Sequence, residues 1–402
     1  MRAVHSAAIV TWCLAGHALP AWSQGVLARD SAGVAVRHYA RTAAAPTRWR
    51  LGRTPILRIG GAGDTKSDFS GVRGVVRLKD GQVIVADGGA LELRVFDARG
   101  RFLRAFGRRG TGPGELDGMS QVTRVGDTIV VSDFQGRVHA WTPDGTLRQS
   151  RGRMPVASLT TPVWMGQLGG RVDVFVGAPE MFQSWTGDEI LTVPLVVRDS
   201  VGSSRTIASI PAFEVANVNG RQMPVYLGPA ARMAINANDV CVAWSKEWLV
   251  TCYDANGKAR WRTTRNVPLG SLADSDKEAF RENFRQGNRA TPPDRREAIV
   301  RAFQFARNRP AISRIELSRS GELWIGEWVI AEELQLGQPG FTVPDRATIW
   351  SILGRDGAWL ADVELPERFR LLEAGSDYVA GVIRDEDDVE SVVVYHIVRG
   401  GQ

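Results

Sequence analysis

Residues 83–107, VIVADGGALELRVFDARGRFLRAFG, contain the pattern that decides the fold. An apolar run ends in an acidic residue, a second run carries an aromatic residue, and Asp-x-x-Gly then leads into a third run. Residues 129–147, IVVSDFQGRVHAWTPDGTL, repeat this order, and weaker copies continue to the C-terminus. Such runs, separated by Gly, Asp and Asn, are typical of short strands joined by tight turns. A unit of this size cannot bury its apolar face alone, so the pattern predicts stacked repeats.

The repeat can be followed through six units. The second-strand signals lie at Val83–Asp87, Ile129–Asp133, Val172–Val176, Val240–Trp244, Leu323–Gly326 and Tyr378–Val382. The sixth unit ends at Val392–Val398 without a fourth strand, whereas Pro55–Gly61 resembles the outer strand Phe102–Gly107 but precedes the first unit. We therefore expect Pro55–Gly61 to complete the last unit and close a ring, because closure removes unpaired sheet edges.

Residues 275–307 depart from the strand pattern. Residues 275–278, Ser-Asp-Lys-Glu, have the form of a capping box, and Pro292-Pro293 opens a second segment, where proline is tolerated at the first helical position. Ile299, Ala302, Phe303 and Ala306 recur at helical spacing. The sequence predicts a helical insertion between the fourth and fifth units, packed on one mouth of the ring. It would serve as a cap over the core or as a lid or partner surface.

The first 23 residues have the features of a secretory signal peptide. Arg2 precedes an apolar stretch, and Ala21-Trp22-Ser23 resembles a cleavage site, so we expect cleavage after Ser23. The apolar stretch is too short for a membrane span. We predict a protein exported to the periplasm or the extracellular space, with residues 24–54 as an N-terminal extension and connector. Within it, Val26–Tyr39 would add one peripheral strand.

Two cysteines, Cys241 and Cys252, remain in the chain predicted after cleavage. If Lys246-Glu247 forms a hairpin turn, they face each other on neighbouring antiparallel strands. An oxidising compartment would allow a disulfide between them. The alternative is a pair of buried thiols, because a directly opposed pair at a hydrogen-bonded position strains the bond.

The net charge of the chain is +6, from 50 basic and 44 acidic residues. The positive charges are mostly arginines, spread along the chain and interleaved with acids. This distribution indicates a solvated surface rather than a nucleic-acid site. We expect no nucleic-acid partner.

Several stretches resemble NHL-type repeats. They are residues 80–87, Asp-Gly-Gln-Val-Ile-Val-Ala-Asp, the strand end at residues 94–97, Arg-Val-Phe-Asp, and the segment from Phe106 to Leu116. The resemblance is strong over residues 57–145, fair over 313–398 and weak between them. NHL repeats are found in secreted bacterial six-bladed β-propellers, so the resemblance implies four-stranded blades around a central channel.

The fold class that we predict is all-β. It is a six-bladed β-propeller of four-stranded antiparallel blades over residues 55–400, closed by an N-terminal strand. The short helical insertion at residues 275–307 would lie between blades 4 and 5. The fold hosts binding scaffolds as well as lyases and lactonases, so it implies little about activity.

No catalytic constellation is visible in the sequence. Lyases on related propellers rely on histidine and metal, but only His38, His139 and His396 follow the predicted signal peptide, without ligand spacing. The glycine-rich run at residues 107–114 lacks the Gly-Lys-Ser/Thr of a phosphate loop. Asp87 and Asp133 hold equivalent positions, which indicates a structural task, the acceptance of backbone hydrogen bonds. The acidic residues 385–390 would form a solvated loop rather than a calcium site.

The candidate ligand surface lies on and near the helical insertion. Arg281, Arg285 and Arg301 would recruit an acidic ligand, and an exposed Trp328 would suit stacking against sugar rings or peptides. We therefore predict a monomeric binding or interaction module without a cofactor, whose partner is an unknown protein, peptide or glycan. The alternative is a calcium-dependent hydrolase or lactonase resembling gluconolactonase or paraoxonase. That alternative requires acids and asparagines from at least three blades to converge on the channel axis.

Overall fold

The structure is a computed structural model that describes residues 22–23, 25–61, 65–159, 161–177, 189–218, 220–327, 349–387 and 389–400. The described chain is mostly β-strand, with two α-helices, α1 (Asp274–Gly287) and α2 (Pro293–Ala302). Neither helix has the length and apolar character needed to cross a membrane.

Most strands of the described residues belong to six antiparallel groups of consecutive strands, here called meanders 1 to 6. Their strands are Val72–Arg77, Val83–Asp87, Glu92–Phe96 and Phe102–Phe106 (meander 1); Gln121–Val125, Thr128–Ser132, Val138–Trp141 and Leu147–Arg151 (meander 2); Pro162–Leu168, Val172–Gly177, Glu189–Arg198 and Ser204–Val218 (meander 3); Ala231–Ile235, Asp239–Trp244, Trp248–Asp254 and Ala259–Arg265 (meander 4); Ile312–Leu317, Leu323–Glu327, Ile349–Leu353 and Trp359–Glu364 (meander 5); Phe369–Ala374, Tyr378–Arg384 and Glu390–Val398 (meander 6).

The first strands of the meanders form a closed cycle. Each contacts the first strands of the preceding and following meanders, and the first strand of meander 6 contacts that of meander 1. Buried apolar clusters lie at every junction of the cycle, for example Trp324 and Trp350 of meander 5 packed against meander 6. The core is therefore a series of contacts between neighbouring sheets. We call the space inside the first strands the channel, and the end where these strands begin the upper end.

The N-terminal strand Leu57–Ile59 lies where the sequence predicts it. It pairs antiparallel with Val392–Val394 and becomes the fourth strand of meander 6. Ile59 is buried between meanders 6 and 1, whereas the neighbouring Ile56 is 54% exposed. A strand from the N-terminal part of the chain and strands from its C-terminal part therefore belong to one sheet.

The preceding residues contain more strands than predicted. Val26–Ser31 and Val34–Tyr39 form a hairpin, and the second of these strands pairs in parallel with Ala259–Arg265 of meander 4. Thr47–Leu51, within the predicted N-terminal extension and connector, pairs with Ala361–Val363 of meander 5 and, at its end, with Ile397–Val398 of meander 6. Residues 26–59, which we call the N-terminal strap, therefore follow the outer edges of meanders 4, 5 and 6.

The helices follow meander 4 in the chain but pack against an extension of meander 3. A fifth strand, Arg221–Tyr226, pairs with Val215–Val218 on one side and with Gln304–Phe305 on the other. Tyr226 contacts the rings of Phe280, Phe303 and Phe305 at centroid distances of 4.6 to 6.3 Å. The sequence periodicity predicted the helices, but it could not name the sheet that they contact.

The predicted start of the first helix was wrong. Helix α1 begins at Asp274, and the backbone N–H of Ala273 donates to Oδ2 of Asp276 at 3.2 Å, so Ser275 is not the N-cap. Asp276 is buried and forms an ion pair with Arg309 at 3.1 Å. Helix α2 has Pro293 at its first position, as predicted, but it ends at Ala302, so Phe303 and Ala306 are buried beyond its end.

Candidate functional site

The first strands, which surround the channel, carry an excess of positive charge. Together they hold two acidic residues, Glu316 and Glu373, and six arginines: Arg73, Arg77, Arg124, Arg232, Arg314 and Arg370. In the sequence these arginines are far apart and suggested only a solvated surface. The closed cycle of first strands brings them around one axis, where charges of one sign reinforce each other.

Three of the arginines lie near the start of a first strand, at the upper end. Arg73, Arg232 and Arg370 are each the second residue of a first strand, in meanders 1, 4 and 6. Aligning the repeats by their first strands would have revealed this position from the sequence. Arg73 is exposed, and no partner for its side chain is found among the described residues.

Arg232 reaches the next first strand. Its Nε donates to the backbone oxygen of Ser313 in meander 5 at 2.8 Å, and its Nη1 donates to the oxygen of Ala231 at 3.1 Å. The strand of meander 5 has a register shift at Ser313, typical of a β-bulge, which redirects backbone groups locally. Within the described part of the chain, Arg232 contacts no carboxylate. Burial lowers its pKa to about 10, so the side chain is still protonated at neutral pH.

Arg370 forms the equivalent contact between meanders 6 and 1, but its charge is balanced. Its Nη2 donates to the oxygen of Val72 at 2.6 Å, and it lies 3.5 Å from the carboxylate of Glu390. Glu390 Oε2 accepts the backbone N–H of Val72 at 2.7 Å, and Oε1 is 2.9 Å from Arg384. Glu390 is only 2% exposed. The prediction of a solvated loop over residues 385–390 was therefore wrong for Glu390, which joins meander 6 to meander 1.

The acids of the first strands lie toward the lower end. Glu373 Oε2 accepts the backbone N–H of Arg77 at 2.7 Å and the hydroxyl of Tyr378 at 3.0 Å, and Arg319 pairs with Oε1. Glu316 lies 3.6 Å from Arg314. Burial raises the pKa of Glu316 to about 7, opposed by Arg314 and assisted by Glu373. Although protein surrounds Glu316, its side chain is 28% exposed.

The predicted ligand surface is only partly described. Arg281 pairs with Glu278 at 3.0 Å and lies over the ring of Phe305, and Arg285 pairs with Glu278, Glu282 and Glu297. Arg301 is exposed, and no described residue forms an ion pair with it. Trp328 lies outside the described residues. Of the three arginines, Arg301 therefore keeps the most uncompensated charge.

The cysteines face each other across the predicted hairpin. Cys241 and Cys252 are directly paired on the second and third strands of meander 4, with Cα atoms 4.0 Å apart, and their sulfurs are bonded in the structure. This separation is that of a non-hydrogen-bonded pair, about 4.5 Å, rather than of a hydrogen-bonded pair, about 5.5 Å. The objection raised from the sequence therefore does not apply to this pair.

The structural role of the repeated aspartates is confirmed. Oδ1 of Asp87 accepts the N–H groups of Gly89 and Ala90, and Oδ1 of Asp133 accepts those of Gln135 and Arg137. Each therefore holds the turn after its strand.

The convergence required by the hydrolase alternative is not found in the described ranges. Among those residues no three His, Cys, Asp or Glu side chains form a group suited to a metal ion. The two acids of the first strands, Glu316 and Glu373, come from only two neighbouring meanders.

The comparisons with known proteins identify the fold. No protein-family model matches the sequence, and no curated protein matches it. Among solved structures, a member of the DUF4221 family from Bacteroides vulgatus is similar, with 10% identity, a TM-score of 0.51, and coverage of 88% of this chain and 99% of that one.

Two further solved structures are similar at lower scores. A candidate exported protein from Bacteroides fragilis has 11% identity and a TM-score of 0.46, covering 91% of this chain and 100% of that one. Regucalcin, a calcium-binding protein from Agrobacterium tumefaciens, has 9% identity and a TM-score of 0.39, covering 87% and 96%. At these identities a likeness concerns the fold alone. The chain has a β-propeller fold.

Proposed function

We propose that the protein is an exported, monomeric binding module, built as a six-bladed propeller of the NHL-repeat type. Each meander would be one blade, with Leu57–Ile59 as the outer strand of the last. The cycle of contacts between first strands and the apolar cluster at each junction support this blade count. The ligand, a protein, peptide or glycan, enters at the upper end.

The observation that carries this proposal is the arginine excess of the first strands. Cations that surround a partly enclosed space attract an oppositely charged ligand, because the low-dielectric walls concentrate their field. The helical insertion lies in the chain between Arg265, where meander 4 ends, and Ile312, where meander 5 begins, and both of these residues are at the upper end. Its exposed Arg301 extends the proposed surface beyond the channel, and the proposal includes Trp328 from the sequence.

The test is a binding screen with variants at both ends of the ring. The protein without residues 1–23 is applied to arrays of acidic and neutral peptides and glycans. We expect an acidic ligand whose affinity falls in Arg301→Ala and Trp328→Ala. The control is Arg99→Ala, which removes an exposed arginine from a turn at the lower end and should leave affinity unchanged. No ligand on any array, or equal losses in all three variants, would overturn the proposal.

Metal content separates the binding module from the hydrolase. The protein purified without chelators is analysed by mass spectrometry, and we expect no stoichiometric metal. One tightly held calcium per chain, together with hydrolysis of lactones or esters, would replace the binding module with the hydrolase.

Export is part of the proposal and predicts the state of the cysteines. The signal-like residues 1–23 and the facing pair Cys241 and Cys252 both suit an oxidising compartment. We expect no free thiol in unreduced, denatured protein recovered from the exported fraction, and two after reduction. Two free thiols without reduction would contradict the disulfide.

A further inference from the structure

Arg232 combines a partly buried charge with unused hydrogen-bond donors. A guanidinium carries N–H groups on all three of its nitrogens. The contacts with Ser313 and Ala231 use one N–H on Nε and one on Nη1. Both hydrogens of Nη2 and one of Nη1 remain without a partner among the described residues. These terminal nitrogens are the pair that binds a carboxylate with two parallel hydrogen bonds.

The two bonds to backbone oxygens fix the guanidinium without neutralising it. Burial of a cation is costly unless an anion compensates it. Arg370, at the equivalent position in meander 6, has Glu390 at 3.5 Å, whereas no carboxylate in the described ranges is bonded to Arg232. An arginine that served only to join two sheets would not need to leave its terminal nitrogens unused.

The proposed access route is from the upper end of the channel. Arg232 is the second residue of its strand and remains partly exposed, although protein atoms surround it. The exposed Arg73 is likewise the second residue of its strand, in meander 1, and lies beside the backbone of Gly88. An anion approaching the upper end would meet exposed positive charge first and the held guanidinium of Arg232 next.

We propose that Arg232 is the anchor for a carboxylate group of the ligand, bound through Nη1 and Nη2 at the upper end of the channel. This inference rests on the proposed binding function and names the chemistry of its ligand. A carboxylate is favoured over a phosphate because its single charge matches the single charge of Arg232, the guanidinium that backbone hydrogen bonds hold in place. A phosphate with nearly two charges would remain unbalanced in a partly enclosed site.

The experiment uses two pairs of probes, each an acid and its neutral counterpart. Tetraglutamate is compared with tetraglutamine, and tetragalacturonate with tetragalactose, by calorimetry on the protein without residues 1–23. We expect one acidic probe to bind, more weakly as salt increases, and its neutral counterpart to bind at least about tenfold more weakly. The pair that responds distinguishes a peptide from a glycan source of the carboxylate.

Variants of Arg232 then test whether the carboxylate of the probe binds at this residue. Arg232→Gln should lower the affinity for the acidic probe about tenfold to a hundredfold. Arg232→Lys keeps the charge but not the two parallel N–H donors of the guanidinium, so it should lose part of that affinity. Arg99→Ala should have no effect. Thermal melting checks that the variants fold. If Arg232→Gln does not fold, the comparison of acidic and neutral probes on the unchanged protein still decides whether a carboxylate is recognised.

Two outcomes would overturn the inference. One is equal binding of acidic and neutral probes, and the other is unchanged affinity in a folded Arg232→Gln. A neutral ligand found on the arrays, with affinity that depends on Arg301 or Trp328, would overturn the carboxylate anchor while leaving the binding module intact.

Discussion

Replacement of residues 55–61 by a glycine-serine segment of equal length is expected to destabilise the whole protein in one cooperative step. The replaced residues include Leu57–Ile59, which pairs with Val392–Val394, and Ile56, whose backbone N–H donates to Val394 at 2.8 Å. The change removes the apolar side chains between meanders 6 and 1, and the flexible glycines raise the entropy cost of forming the strand that makes these main-chain bonds. We expect a loss of about 5 kcal/mol or more in the free energy of unfolding.

A pair of point variants tests whether the loss of stability comes from the buried contact that closes the ring or from a local effect of the replacement. Ile59→Ala removes a side chain that is 2% exposed and should cost about 3 kcal/mol, whereas Ile56→Ala, three residues earlier and 54% exposed, should cost less than about 0.5 kcal/mol. Urea unfolding followed by tryptophan fluorescence measures both. Deletion of residues 55–61 with no change in melting would show that this strand does not hold the ring closed.

Glu390→Gln is expected to have the second largest effect, a loss of about 3 to 5 kcal/mol in the free energy of unfolding. The substitution preserves shape but removes the charge that faces Arg370 and Arg384. It also weakens the acceptor for the N–H of Val72, because hydrogen bonds to a charged group are stronger than those to a neutral amide. Meanders 6 and 1 would lose their main polar contact at the upper end.

The matched control is Glu386→Gln in the same hairpin. Glu386 is exposed, so the same chemical change should alter stability by less than about 0.5 kcal/mol. Denaturant midpoints of the two variants and the unchanged protein are compared at one pH and salt concentration. Equal midpoints for Glu390→Gln and Glu386→Gln would show that Glu390 contributes no more than a surface acid.

The sequence predicted those features whose cause is local. The second strand Val83–Asp87 and the turns held by Asp87 and Asp133 are found as expected, because alternating apolar residues and turn residues act within a few positions. The closing strand was also predicted, because Leu57–Ile59 resembles an outer strand of the repeat.

The features that the sequence did not predict depend on distant contacts. Thr47–Leu51 pairs with residues more than 300 positions away and carries no turn signal of its own. Glu390 follows other acids in the chain, which is typical of a solvated loop, and its burial depends on distant partners, Arg370, Arg384 and the N–H of Val72. In the sequence Arg232 is one of many scattered arginines, and only the cycle of first strands in the structure shows that it lies beside Ser313.

The N-terminal strap determines when the protein can finish folding. Arg58 donates a hydrogen bond to Ser391, which lies 333 residues later in the chain. The strand that contains Arg58 is therefore made early, but its partner strand is made late. Closing so long a loop is slow, because contacts of high sequence separation form only after a large entropy cost. The ring cannot close until residues 391–394 have been synthesised, because Leu57–Ile59 pairs with Val392–Val394. For the export that we propose, this order of folding keeps the chain in an open form that can pass through a translocation channel as a thread and close on the other side.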